Sequence, residues 1–154
     1  MKATFVLMLL LGFLGVSPKA MAQETTDPSL TMVDEIQFDL KSVKSVGDTL
    51  QIDLFAISYE KNPREFRLNV FASNLIDGDS KPHMFSSVQV GRVIVQLAQR
   101  QNYLNYLMHQ DVPVPIQVKI FPTSEAIKKA KQVKLVFSSF EEEGRFLEAV
   151  IPLK

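Results

Sequence analysis

His83 and His109 are the two imidazoles of the chain, so acid–base or metal chemistry would have to start from them. They stand far apart, and neither falls in an H-x-H or H-x-x-x-H spacing that would bring two rings to one metal. Ser86 and Ser87 follow His83 closely. A nucleophile relay, however, needs a base held by an acid beside a reactive hydroxyl. Side chains alternate along a strand, and no G-x-S-x-G elbow is present. Both histidines therefore read as surface or rim residues. Asp77 and Asp79 flank Gly78, with Glu60 and Glu65 on another loop. Calcium takes several hard oxygens from a turn, so a weak loop site is one reading of this cluster. The EF-hand pattern fails, because it lacks a third acid at the required offset and a closing Glu. Asp-Gly is also a common hairpin pair for backbone reasons alone, and an ordinary turn is the expectation.

Other chemistries are excluded by what the chain lacks. It has no cysteine, which removes thiol catalysis, Cys-based zinc sites and disulfides. After residue 22 the glycines Gly47, Gly78, Gly91 and Gly144 stand alone, so no phosphate-binding loop exists. No catalytic residue, cofactor or metal is assigned. Lys128, Lys129, Lys131 and Lys134 form a small basic stretch, and Glu141, Glu142 and Glu143 an acidic one. Pairing across one hairpin would contribute a few tenths of a kcal/mol per exposed pair. The main expected role of these charges is solubility and the blocking of strand edges; docking of an acidic partner on the lysines is the alternative. Without Lys2 and Lys19 the balance is 15 basic to 17 acidic residues, about −2. A mixed surface of this kind argues against nucleic acid and against a polybasic membrane binder.

The elements that carry these residues begin with an export signal. Lys2 supplies a positive start, and residues 4–16 form an uncharged apolar run of 13 residues. A membrane span needs about 20. Pro18 breaks the helix, and Ala20-Met21-Ala22 is an A-x-A cleavage pattern with the cut before Gln23. Residues 1–22 read as a bacterial Sec-type signal peptide, with no Cys to carry a lipid. The expected location is the periplasm or the cell exterior, with no membrane anchor after signal removal. Residues 23–32 read as a flexible leader and residues 33–154 as one domain.

Within that domain the pattern has period two. Ile36, Phe38 and Leu40 alternate with polar residues, as do Leu50, Ile52 and Leu54, then Phe66, Leu68 and Val70. Val114 to Ile120 and Val133 to Phe137 repeat it, and residues 146–152 close the chain. Gly47-Asp48, Asn62-Pro63, Asp77-Gly78 and Glu141 to Gly144 mark turns. This predicts an all-β antiparallel sandwich of about seven or eight strands, with nine phenylalanines supplying much of the core. Residues 92–108 are ambiguous between a helix and a loop followed by a strand from Tyr103 to Met108. Ser124 to Lys131 predicts a short helical turn.

The order of several motifs resembles exported bacterial immunoglobulin-like domains of unknown function (DUF4352-like). Asp77-Gly78-Asp79 matches that family's hairpin, and Ser87-Val88-Gln89-Val90-Gly91 its return strand. Asp111-Val112-Pro113-Val114-Pro115 matches the lead-in to a later strand, and Ala149-Val150-Ile151-Pro152-Leu153 the closing strand. The likeness covers nearly all of residues 33–154. Asp111 stands where the family often has Gly, and residues 92–101 are less rich in Ser and Asn. The resemblance implies an immunoglobulin-like sandwich and no catalytic residues. Together these features lead to the expectation of a non-enzymatic binding or accessory module of the bacterial cell envelope. Its partner would be another envelope or extracellular protein, met at edge strands or at the loops of Pro63, Gly78 and Pro122. A small-ligand or ion carrier roofed by Tyr103 to Met108 is the second reading, and a hydrolase stands third.

Overall fold

The computed structural model describes residues 30–154. The expected signal peptide, with its Ala20, Ala22 and Gln23 cleavage residues, and leader residues 23–29 lie outside them. In chain order the strands are β1 (Leu30–Val33), β2 (Ile36–Val46), β3 (Thr49–Ser58), β4 (Arg64–Asn69), β5 (Asn74–Ile76) and β6 (Pro82–Met84). There follow β7 (Ser87–Val90), β8 (Val93–Gln96), β9 (Tyr103–Met108), β10 (Val114–Ile120), β11 (Gln132–Ser138) and β12 (Phe146–Pro152). A 3-10 turn at Leu97–Gln99 and a single helical turn, α1 (Glu125–Lys128), complete the fold. Ser124 caps α1 by accepting the Ile127 N–H at 3.2 Å.

The strands form two antiparallel sheets packed as a sandwich. The first runs β1-β2-β3-β10-β7-β8 and the second β6-β5-β11-β4-β9. β12 pairs with β11 along its whole length, so β5 and β4 share the other side of β11, one at each end. The alternation read from the sequence decides which residues face inward. Ile36, Phe38, Ile52, Leu54, Ile116 and Val118 of the first sheet meet Phe66, Leu68, Leu104, Leu135, Phe137 and Ile151 of the second. At the centre Phe38 packs on Phe66 and Phe137, with ring centroids 6.3 and 5.7 Å away, and Phe66 lies 5.2 Å from Phe137. Each such side chain contributes about 1.5–3 kcal/mol through burial.

The all-β antiparallel sandwich is as expected, and several details differ. The described residues form twelve strands rather than seven or eight, because β5 to β8 are three or four residues long and too short to show alternation. The ordered strand β1 begins at Leu30, inside the segment assigned to the leader, because Leu30 to Val33 pair with Ile36 to Asp39. Four phenylalanines, Phe38, Phe66, Phe85 and Phe137, enter the core; Phe71, Phe121, Phe140 and Phe146 stay exposed. Residues 92–108 resolve into β8, the 3-10 turn and β9. Because β9 pairs with β4 from Arg64–Met108 to Asn69–Tyr103, it is part of a sheet wall and does not roof a ligand chamber.

The open sides of the sandwich differ. β1 lies beside β12, where the Thr31 hydroxyl donates to the Val150 carbonyl at 3.3 Å. On the opposite side β8 lies beside β9 without backbone pairing. There Gly91, at φ 57°, lets the Tyr106 ring press onto the backbone; a Cβ at this position would sit 2.3 Å from Tyr106 Cε2.

Candidate functional site

The residues that looked most chemical turn out to be tied into the fold. Asp77 follows Leu75 by two positions and so shares its inward side; it is 2 % exposed. One carboxylate oxygen accepts the N–H groups of Asp79 and Lys81 at 2.8 and 2.9 Å, and the other lies 2.7 Å from His83 Nε2. The turn is wound around this carboxylate. The Lys81 N–H, the His83 side chain and the Asp79 N–H hold its pKa below the usual value, against desolvation, which acts the other way. Three of roughly four acceptor positions are thereby filled from within the turn. Among the described residues no group of three or more His, Cys, Asp or Glu is placed to hold a metal. Gly78 is packed, not free: its N–H donates to Ala126 O at 3.0 Å, and a Cβ would lie 3.0 Å from Lys129 Cβ.

Ser86, three residues after His83, is also committed. Ser86 Oγ donates to Phe121 O at 3.0 Å and accepts the Phe121 N–H at 2.8 Å. Ser87 sits within β7, opposite Gln96 on one side and Lys119 on the other. No relay joins these serines to His83 or His109. The charge pairing expected across the last hairpin takes a different form. Lys134 meets Glu148 at 3.4 Å, because strand register places both on the outer side of β11 and β12, while Glu142 pairs locally with Arg145.

Arg64 is a residue whose burial the sequence did not reveal. It opens β4 on the inward side, 1 % exposed. Its guanidinium donates to the Asp34 backbone oxygen at 2.6 Å and to Asp34 Oδ2 at 2.7 Å, and lies over the Phe140 ring at 5.0 Å. Asp34 Oδ2 also accepts the Phe140 N–H at 3.0 Å. The cluster ties the β1–β2 turn to β4 and to the last hairpin. With the guanidinium enclosed, it is a structural pair.

Among the described residues, what remains open to a partner is the β8–β9 side. Both strands end a sheet. In an antiparallel pair half of the backbone N–H and C=O groups point away from the neighbour, so each end strand presents an unpaired row. Proteins usually guard such rows with charge, proline or cover. β6 carries Pro82, β12 carries Glu148 and Pro152, and β1 is tied to β12 by the Thr31–Val150 hydrogen bond. By contrast β8 (VIVQ) and β9 (YLNYLM) contain no charged residue and no proline. Ile94 and Leu107 on these strands are 52 % and 55 % exposed. The sequence signal was there, in two neighbouring uncharged runs, but their standing at the ends of two different sheets was not legible from it. No family model, curated protein or solved structure matches the chain.

Proposed function

We propose that the chain is a non-enzymatic binding or accessory module of the bacterial cell envelope, exported and then freed at Gln23, with the immunoglobulin-like character that its motif order suggests. It engages an extended segment of another envelope or extracellular protein along the β8–β9 side. The observation that carries this reading is the contrast between edges among the described residues: β8 and β9 have no hydrogen bond between them and carry uncharged, exposed apolar side chains, whereas β1 is bonded to β12 through Thr31 and Val150. Strand addition at such an edge draws affinity from main-chain hydrogen bonds and specificity from alternate side chains.

The test is in-cell photo-crosslinking from residue 94 or 107, with Val46 at the far β2–β3 turn as the control position. Adducts to one envelope protein from the first two positions and none from the third are expected. Ile94→Lys should remove them while leaving stability within about 0.5 kcal/mol, as for a surface change. Equal labelling from all three positions, or none from residues 94 and 107, defeats the reading. Export is checked separately by cell fractionation and mass spectrometry of the mature N-terminus; a cytosolic chain that still begins at Met1 would overturn it.

A further inference from the structure

The outer side of the first sheet carries a groove of about 280 Å³ at its centre, over β3, β10 and β7. It is built by a β-bulge in β2. Leu40 pairs with Leu54 and Ser42 with Asp53, leaving Lys41 as the extra residue. The bulge lets consecutive residues reach the same outer side. Ser42 donates to Asp53 Oδ2 at 2.7 Å, while Lys41 pairs with Asp39 and lies 5.3 Å from the Phe55 ring centroid.

Asp53 organises the groove. It accepts the side-chain amide of Gln117 at 2.9 Å and that of Gln51 at 3.0 and 3.1 Å, with Lys44 Nζ at 4.0 Å. Burial pushes its pKa up, and the hydrogen bonds from Gln117, Ser42 and Gln51 with the Lys44 charge more than offset that, so the carboxylate stays ionised. An ionised carboxylate only accepts, which forces the Gln117 nitrogen toward it and the Gln117 carbonyl away. The same logic holds for Gln89, whose Nε2 donates to the Gly91 carbonyl at 2.9 Å. The groove is therefore lined by two amide side chains whose nitrogens are already engaged, which leaves their carbonyls as acceptors, by Asp53 and Lys41, and by Phe55 and Pro115.

We propose that this groove binds one ring of a neutral saccharide. A sugar ring has hydroxyls that donate to the Gln89 and Gln117 carbonyls, a hydroxyl oxygen that accepts from Lys41, and an apolar C–H face for Phe55 and Pro115. The groove lies at the small end of ligand pockets, which suits a single ring. It also lies mid-sheet, where backbone groups are already paired, so an extended peptide gains no main-chain bonds here. The groove adjoins β8, because Gln89 pairs with Ile94 and Gly91 lines it, so the residues that test it, Phe55 and Gln117, are taken from β3 and β10, away from that edge.

The test is an NMR titration of the purified chain with glucose, galactose, mannose and N-acetylglucosamine, each as the monosaccharide and as a soluble β- or α-linked oligomer. The side-chain amide signals of Gln89 and Gln117 should shift with at least one of them. Preference for the oligomer identifies a glycan unit, and equal response a free sugar; both support the site. Phe55→Ala and Gln117→Ala should each weaken binding about tenfold or more, with the remaining spectrum showing an intact fold. Shifts confined to other residues, no shift with any of the eight sugars, or unchanged affinity in both variants overturns the proposal.

Discussion

Asp34→Asn tests the buried pair at Arg64 with little disturbance of shape. Asp34 sits at φ 54°, in the left-handed region that Asn tolerates as readily as Asp. The amide oxygen can still accept both hydrogen bonds, from Arg64 and from the Phe140 N–H, so the change removes charge and leaves geometry. Breaking a buried ion pair from one side costs about 3–5 kcal/mol, and a hydrogen bond to a charged group is worth about 1.5–3 kcal/mol. With the Asp34 backbone oxygen still bonded to Nη1 and the Phe140 ring still beneath the guanidinium, the expected loss is about 2–4 kcal/mol. For a domain of this size that lowers Tm by roughly 10 °C. Arg64→Met removes the charge and keeps the stem, and the double variant should fall close to it, giving a coupling energy of about 2–4 kcal/mol in urea denaturation. A loss below about 0.5 kcal/mol for Asp34→Asn, or simple additivity in the double variant, would refute the idea that Arg64 depends on this carboxylate.

Three further expectations concern the core, the β8–β9 side and the Asp77 turn. Phe66→Ala empties the contact with Phe38 and Phe137 and should cost about 3–5 kcal/mol by chemical denaturation. Gly91→Ala places a methyl 2.3 Å from the Tyr106 ring and a Cβ at positive φ, the second alone costing about 1–2 kcal/mol. Adding Tyr106→Leu should recover the steric part only, and full recovery would show that backbone strain is absent. Asp77→Asn should speed hydrogen exchange at the Asp79 and Lys81 amides. Because the native pKa of Asp77 is depressed, its contribution is complete above the unfolded value of 3.8 and fades as pH falls through the lower native value. The stability gap between Asp77→Asn and the unaltered chain should therefore narrow below about pH 4, and a gap independent of pH in that range would contradict the assignment.

Long alternating runs were legible because one side of each strand is buried and the other wet. Ile36 to Leu40, Leu50 to Leu54, Val114 to Ile120 and Val133 to Phe137 all appear as read. β5 and β6 were not legible, since three residues carry too little pattern and their pairing is set by the turn wound on Asp77. Arg64 was hidden for a different reason: its partner Asp34 is thirty residues away, and arginine is ordinarily a surface residue. The groove was likewise out of reach. Asp53, Gln117 and Gln89 come from three strands, and the bulge that delivers Lys41 and Ser42 together leaves no mark in composition.

The forked pairing at β11 sets how many neighbours the molecule can take. An unbranched two-sheet sandwich has four edges; here β12 adds a fifth. Counted as valences among the described residues, β1 and β12 are joined by the Thr31–Val150 hydrogen bond and β6 carries its proline, which leaves two. If those two stood on opposite sides, each copy could join a neighbour at either end and the chain would be a monomer of fibres. Because β8 and β9 stand together, the single occupant proposed for that side would shield both, and growth would stop at one step, as closed assemblies require.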